Sequence, residues 1–234
     1  MNAALQKPTV VLVHGAWADG SCWSNVILPL RNQGLNVTAA PIPLTSLTDD
    51  ASALRRVIER TTGPVTLVGH AYAGAVIAAA PATASGNDDR VKSLVYVAAL
   101  APDEGEIVAD VFYRIAPHPK APQLVPDAHG LIWMPEEGFG SAVAHKASPD
   151  QLAIMAAVQR PLAVQCIQEK APAPAWKKIP SWYLVAEEDR MIHPETQRFM
   201  ATRMNATIRS YGVDHSPMYT APELVVDVIL EAAR

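Results

Sequence analysis

The chain alternates short, continuous runs of β-branched and aliphatic residues with stretches whose apolar residues recur at helical spacing, and few folds accept that order. Thr9-Val10-Val11-Leu12-Val13 is such a run, closed by His14-Gly15, and it suits a strand buried on both faces of a parallel sheet. Trp23, Val26, Ile27 and Leu30 then fall at i, i+3, i+4 and i+7, a helical stripe that ends at Gly34. The order repeats, with strands predicted over 36–40, 65–68 and 91–98 and helices over 48–60 and 72–80. It resumes late in the chain with strands over 181–185 and 207–211 and helices over 194–204 and 222–233. This pattern predicts an α/β fold: a mostly parallel sheet with helices on both faces.

Between 102 and 179 the alternation breaks. Prolines recur from Pro102 to Pro174, with one helical piece over 149–159 among them. We read 1–102 and 179–234 as the core and 103–178 as an inserted helical cap. The cap carries Phe112, Tyr113, His118, His129, Trp133, Met134, Phe139 and Met155. Most of these are expected to pack the cap onto the core. Glu136-Glu137 and Lys177-Lys178 are expected at the solvated surface.

Composition narrows the function. Half of the 234 residues are hydrophobic, enough for one sizeable core, and disorder is excluded. A formal charge of −4 with 18% charged residues leaves no basic surface for a phosphate backbone, which argues against nucleic acid. Cys22 and Cys166 are too few for a disulfide framework and lack metal-ligand spacing, so no metal is expected. Met1 to Pro8 has no apolar leader segment and no stretch approaches the ~20 apolar residues of a membrane span. A cytoplasmic protein with no membrane partner is expected. No dinucleotide or Walker fingerprint occurs, so no cofactor is expected either.

The segment Val65-Thr66-Leu67-Val68-Gly69-His70-Ala71-Tyr72-Ala73-Gly74-Ala75-Val76 passes from strand to helix through a turn of small residues. In that setting a strained turn lifts one side chain clear of the sheet. Three other segments accompany it: Val11-Leu12-Val13-His14-Gly15-Ala16-Trp17, Ala186-Glu187-Glu188-Asp189-Arg190 and Val213-Asp214-His215-Ser216-Pro217. Together they resemble the α/β-hydrolase superfamily, and within it the small-cap carboxylesterases related to plant methylesterases and hydroxynitrile lyases. The sequence departs from the G-x-S-x-G pattern twice: Ala73 stands at the second glycine and Ala71 at the serine.

The resemblance implies a triad in chain order, with Ala71 at the nucleophile position, Asp189 as the acid and His215 as the base. Asp214, Glu187 and Glu188 are rival carboxylates. It also implies an oxyanion hole made by the Ala16 and Tyr72 amides, which an alanine at 71 leaves in place. His14, Trp17, His70 and Trp133 are expected to touch a small apolar ester, the partner that the resemblance implies, and a homodimer stays open. The family's lyases carry lysine directly after the histidine, where this chain has Ser216, so hydrolysis is favoured over a lyase reaction.

A methyl group cannot attack a carbonyl. Three explanations of Ala71 stay open: an engineered serine-to-alanine change, a natural non-catalytic ligand-binding relative, or serine-independent chemistry by a His215–Asp189 dyad. No substitute nucleophile stands out. Ser21 is expected to cap a helix, Cys22 to be a small buried hydrophobe, and Ser216 to face elsewhere. The Tyr72 phenol, with an ordinary pKa near ~10, is a poor nucleophile even if it reaches the cavity.

Overall fold

In a computed structural model, residues 7–83 and 86–234 are described; Met1 to Gln6 of the N-terminal stretch considered above lie outside them. Six strands form one parallel sheet: β1 (Thr9–Val13), β2 (Asn36–Ala40), β3 (Val65–His70), β4 (Val91–Val97), β5 (Ser181–Ala186) and β6 (Thr207–Tyr211). The order across the sheet is β6-β5-β4-β3-β1-β2. From β1 the chain first moves outward to β2, then returns to the other flank of β1 with β3 and continues to β6. The order therefore reverses between β1 and β3, and open α/β sheets place ligands at the carboxyl ends of the strands at such a switch point. This is the parallel sheet expected from the alternation, in the α/β-hydrolase fold that the resemblance implies.

The central strands have no solvated face. Every residue of β1 and β3 is buried, in keeping with helices on both sides. On one side lie α2 (Leu47–Glu59) and α3 (Ala73–Ala79); on the other, α1 (Ser24–Asn32) packs with the last helix, Pro222–Ala232. Two local features differ from the sequence reading. Trp23 ends a short 3-10 turn, Gly20–Trp23, rather than opening the helix, and its cap is Asp19, whose carboxylate accepts from the Ser21 amide at 2.8 Å. Ser21 is thus the capped residue and not the cap. Cys22 is buried, as a small hydrophobe should be.

Between β4 and β5 the chain adds no strand to the six-stranded sheet among the described residues. It forms short helices over Val108–Phe112, Pro149–Val158 and Val164–Gln168, and a two-stranded antiparallel pair of Leu131–Ile132 with Leu162–Ala163. Met134, Phe139 and Met155 bury together in this segment's own apolar cluster, while His129 is exposed.

Candidate active site

The turn after β3 is held by close backbone contacts. Ala71 has φ +50°, in the left-handed region that L-residues with a Cβ rarely occupy. Its amide donates to the Val97 carbonyl at 3.3 Å, and its carbonyl accepts from Leu100 at 2.9 Å. The flanking glycines leave no room for side chains. A Cβ at Gly69 would lie 2.7 Å from the Ala73 carbonyl oxygen, and one at Gly74 would overlap the Leu100 carbonyl. Opposite, Gly15 follows β1 so closely that a Cβ there would sit 3.0 Å from the Ala71 methyl. The register that pairs Val13 with Gly69 sets the two loops side by side.

Asp189 and His215 arrive from the ends of β5 and β6, whose last residues, Ala186 and Tyr211, are paired. His215 Nδ1 lies 2.7 Å from Asp189 Oδ2. A carboxylate only accepts, so Nδ1 carries the proton and Nε2 of the neutral ring keeps its lone pair. Asp189 is buried and fully satisfied. Its Oδ1 accepts from the Met191 and Ile192 amides at 2.7 and 2.9 Å, and its Oδ2 from Gln197 Nε2 at 2.7 Å as well as from His215. The rival carboxylates are engaged elsewhere. Asp214 staples its own loop through Ser216, Thr220 and the Lys146 amide; Glu187 pairs with Arg198 and Glu188 with Lys146.

Ala16, His70, Ala71, Tyr72 and His215 line one cavity, whose empty volume is about 740 Å³ including its mouth. Neither the Ala16 nor the Tyr72 amide has a hydrogen-bond partner among the described residues. The rest of the wall is apolar, with Leu100 and Ile192 from the core and Val108, Phe112, Ile132 and Leu162 from the segment between β4 and β5. Among the described residues, no charged side chain lines it.

The residues expected to touch a ligand divide. Trp17, itself at φ +57°, lines the cavity and donates from Nε1 to the Ile132 carbonyl at 2.9 Å, and His70 lines it as well. His14 does not: it is buried outside the cavity wall with Nδ1 turned to the Gly15 carbonyl. Trp133 does not either. It is 48% exposed, because in the short antiparallel pair its neighbour Ile132 takes the inward position. The Tyr72 phenol, weighed as a cavity group, instead donates to Asp50 Oδ2 at 2.7 Å beneath the turn.

Two buried polar residues escaped the sequence reading. Asp50 accepts from Tyr72 and, through Oδ1, from the Leu44 amide at 2.7 Å; burial pushes its carboxyl above the usual range. Gln197 ties Asp189 to the Ile192 carbonyl and to the Ala186 amide. Both sit on apolar stripes, Asp50 with Leu47, Leu54 and Ile58 and Gln197 with Met200 and Ala201, and a polar residue on a buried stripe is the signal that could have found them.

His70 packs against His215, ring centroids 4.8 Å apart, and donates from Nε2 to the His215 carbonyl at 2.8 Å. Burial, then the neighbouring His215, hold the His70 imidazole well below its ordinary 6.5. The unfolded chain therefore takes up a proton near pH 6.5 that the folded chain refuses, so stability is full above that pH and is lost as pH falls below it. Urea unfolding is expected to show a lower midpoint at pH 5 than at pH 7, with a smaller difference in His70→Gln. An equal pH dependence in the two proteins would remove His70 from that account.

A family model described as "Alpha/beta hydrolase family" matches residues 10–228. The chain is 26% identical to "Alpha/beta hydrolase nvfD" of Aspergillus novofumigatus, over 97% of each chain. It is 26% identical to "Methylesterase 8" of Arabidopsis thaliana, over 98% of this chain and 90% of the relative. The crystal structure of polyneuridine aldehyde esterase superimposes with a TM-score of 0.85 at 17% identity, over 98% of this chain and 100% of the other.

Proposed function

The chain belongs to the α/β hydrolase family, and on that premise we propose that its site is that of a carboxylic ester hydrolase for a small, uncharged apolar ester, with Ala71 in the place of the nucleophile. One observation carries this: the Asp189–His215 pair, the strained turn at Ala71 and the two unpartnered amides of Ala16 and Tyr72 all meet at one uncharged cavity. In the proposed assignment Asp189 holds the His215 ring, Nε2 is the base, and the amides receive the carbonyl oxygen as it becomes an oxyanion. The names of the methylesterase and esterase relatives support an ester as substrate. We assign 103–178 as the cap because this segment supplies much of the wall while adding no strand to the main sheet among the described residues.

The alanine favours a second reading. A methyl at position 71 forms no acyl-enzyme, so the chain with this residue is suited to holding an ester or a similar ligand without consuming it. A fluorophosphonate separates the two. Serine at 71 should attack phosphorus and release fluoride, adding the phosphonyl mass to Ala71→Ser and not to the unaltered chain. A folded Ala71→Ser protein that stays unlabelled would favour the ligand-binding role.

A further inference from the structure

A groove on the outer surface adjoins the cavity. Phe112, Tyr113, Leu124 and Met191 line both, so these four side chains border the two spaces. Beyond them the groove runs over Pro117, Ala121, Pro122, Gln123 and Val125, with no charged side chain along it among the described residues. Tyr113 is 51% and Val125 68% exposed, two of the chain's large apolar side chains left open to water. Ala16, Tyr72 and His215, which carry the polar groups of the cavity, line the cavity and not the groove. A ligand tail that passes these four side chains stays among uncharged groups.

We propose that the site takes an uncharged ester with one long, unbranched apolar chain, whose far end leaves the cavity past Tyr113 and Leu124 and lies in this groove. The occupant is the ligand's own tail. The shared wall decides this over a separate partner, because Phe112, Tyr113, Leu124 and Met191 line both the cavity and the groove. Covering Val125 and Tyr113 removes apolar surface from water, and each added methylene contributes ~0.8 kcal/mol, which is about fourfold in affinity. The inference rests on the ester-site assignment above and adds to it the length of the substrate.

Ala71 makes the test direct, since the unaltered chain should bind esters without an acyl-enzyme step. Methyl esters of unbranched acids from four to twelve carbons, kept below their aggregation limits, are titrated by calorimetry against the unaltered chain, Val125→Asp and Ala121→Trp. Neither residue lines the cavity. Affinity is expected to rise about fourfold per methylene to the longest ester in the unaltered chain. In both variants the rise should stop partway, while methyl butanoate binds all three proteins alike. Equal slopes in all three proteins, or a rise that stops at the same length in the unaltered chain, overturn the groove and leave the ester site standing. No binding of any ester, short or long, overturns the ester site and the tail with it.

Discussion

Ala71→Ser is expected to raise the hydrolysis of short-chain aryl esters by ~10³-fold or more. In a serine hydrolase, removal of the nucleophile lowers turnover on the order of 10⁶-fold, while the oxyanion hole and substrate binding retain ~10³–10⁴ over water. The unaltered chain retains, in this assignment, everything but the hydroxyl. The backbone at 71 already holds φ +50°, so the strain of the turn does not depend on serine. The change adds one oxygen at the cavity wall, where Oγ must come to rest about 2.6–3.2 Å from His215 Nε2. The gain should vanish when His215→Ala is added. Equal activity before and after the change would mean that turnover does not use this position. A folded protein inactive in both forms would favour ligand binding.

In the Ala71→Ser background, Asp189→Asn is expected to lower turnover by about 10⁴-fold while leaving the fold intact. The direction follows from the four bonds to the carboxylate. Oδ1 receives the Met191 and Ile192 amides, so the asparagine oxygen must stay on that side. Its NH₂ then faces two other donors, Gln197 Nε2 and His215 Nδ1–H. The imidazole is driven to the tautomer that places its proton on Nε2, where a base needs a lone pair. Steady-state kinetics and circular dichroism check both parts. A loss smaller than tenfold would show that Asp189 is not the group that orients His215.

Much of the fold was legible because buried parallel strands and the helices that cover them carry periods that chain order alone displays. Val10 to Val13 and Val65 to Val68 lie in the sheet as their apolar runs require. Asp189 and His215 were legible as strand-end residues, and as a pair only through the resemblance, with Asp214, Glu187 and Glu188 left as rivals. The contacts of Trp133 and His14 were not. The inward or outward aspect of Trp133 depends on a two-residue strand pairing, and His14 is turned by a single bond to the carbonyl beside it. Neither leaves a period in the sequence. Tyr72 shows the same limit, since its phenol is committed to Asp50, 22 positions earlier, by the packing of α2 beneath the turn.

By itself the sequence determined the α/β class, the strand-to-helix turn around Ala71 and the interruption between β4 and β5. These follow from local periodicity and from side-chain chemistry at fixed spacing. Only the tertiary structure decided which carboxylate pairs with His215, because Asp189, Asp214, Glu187 and Glu188 differ not in type but in the donors that surround them. It alone decided the shape of the cavity and the groove beside it, since their walls come from segments far apart in sequence. Non-local contacts join residues far apart in the chain, and no window of the sequence contains both partners.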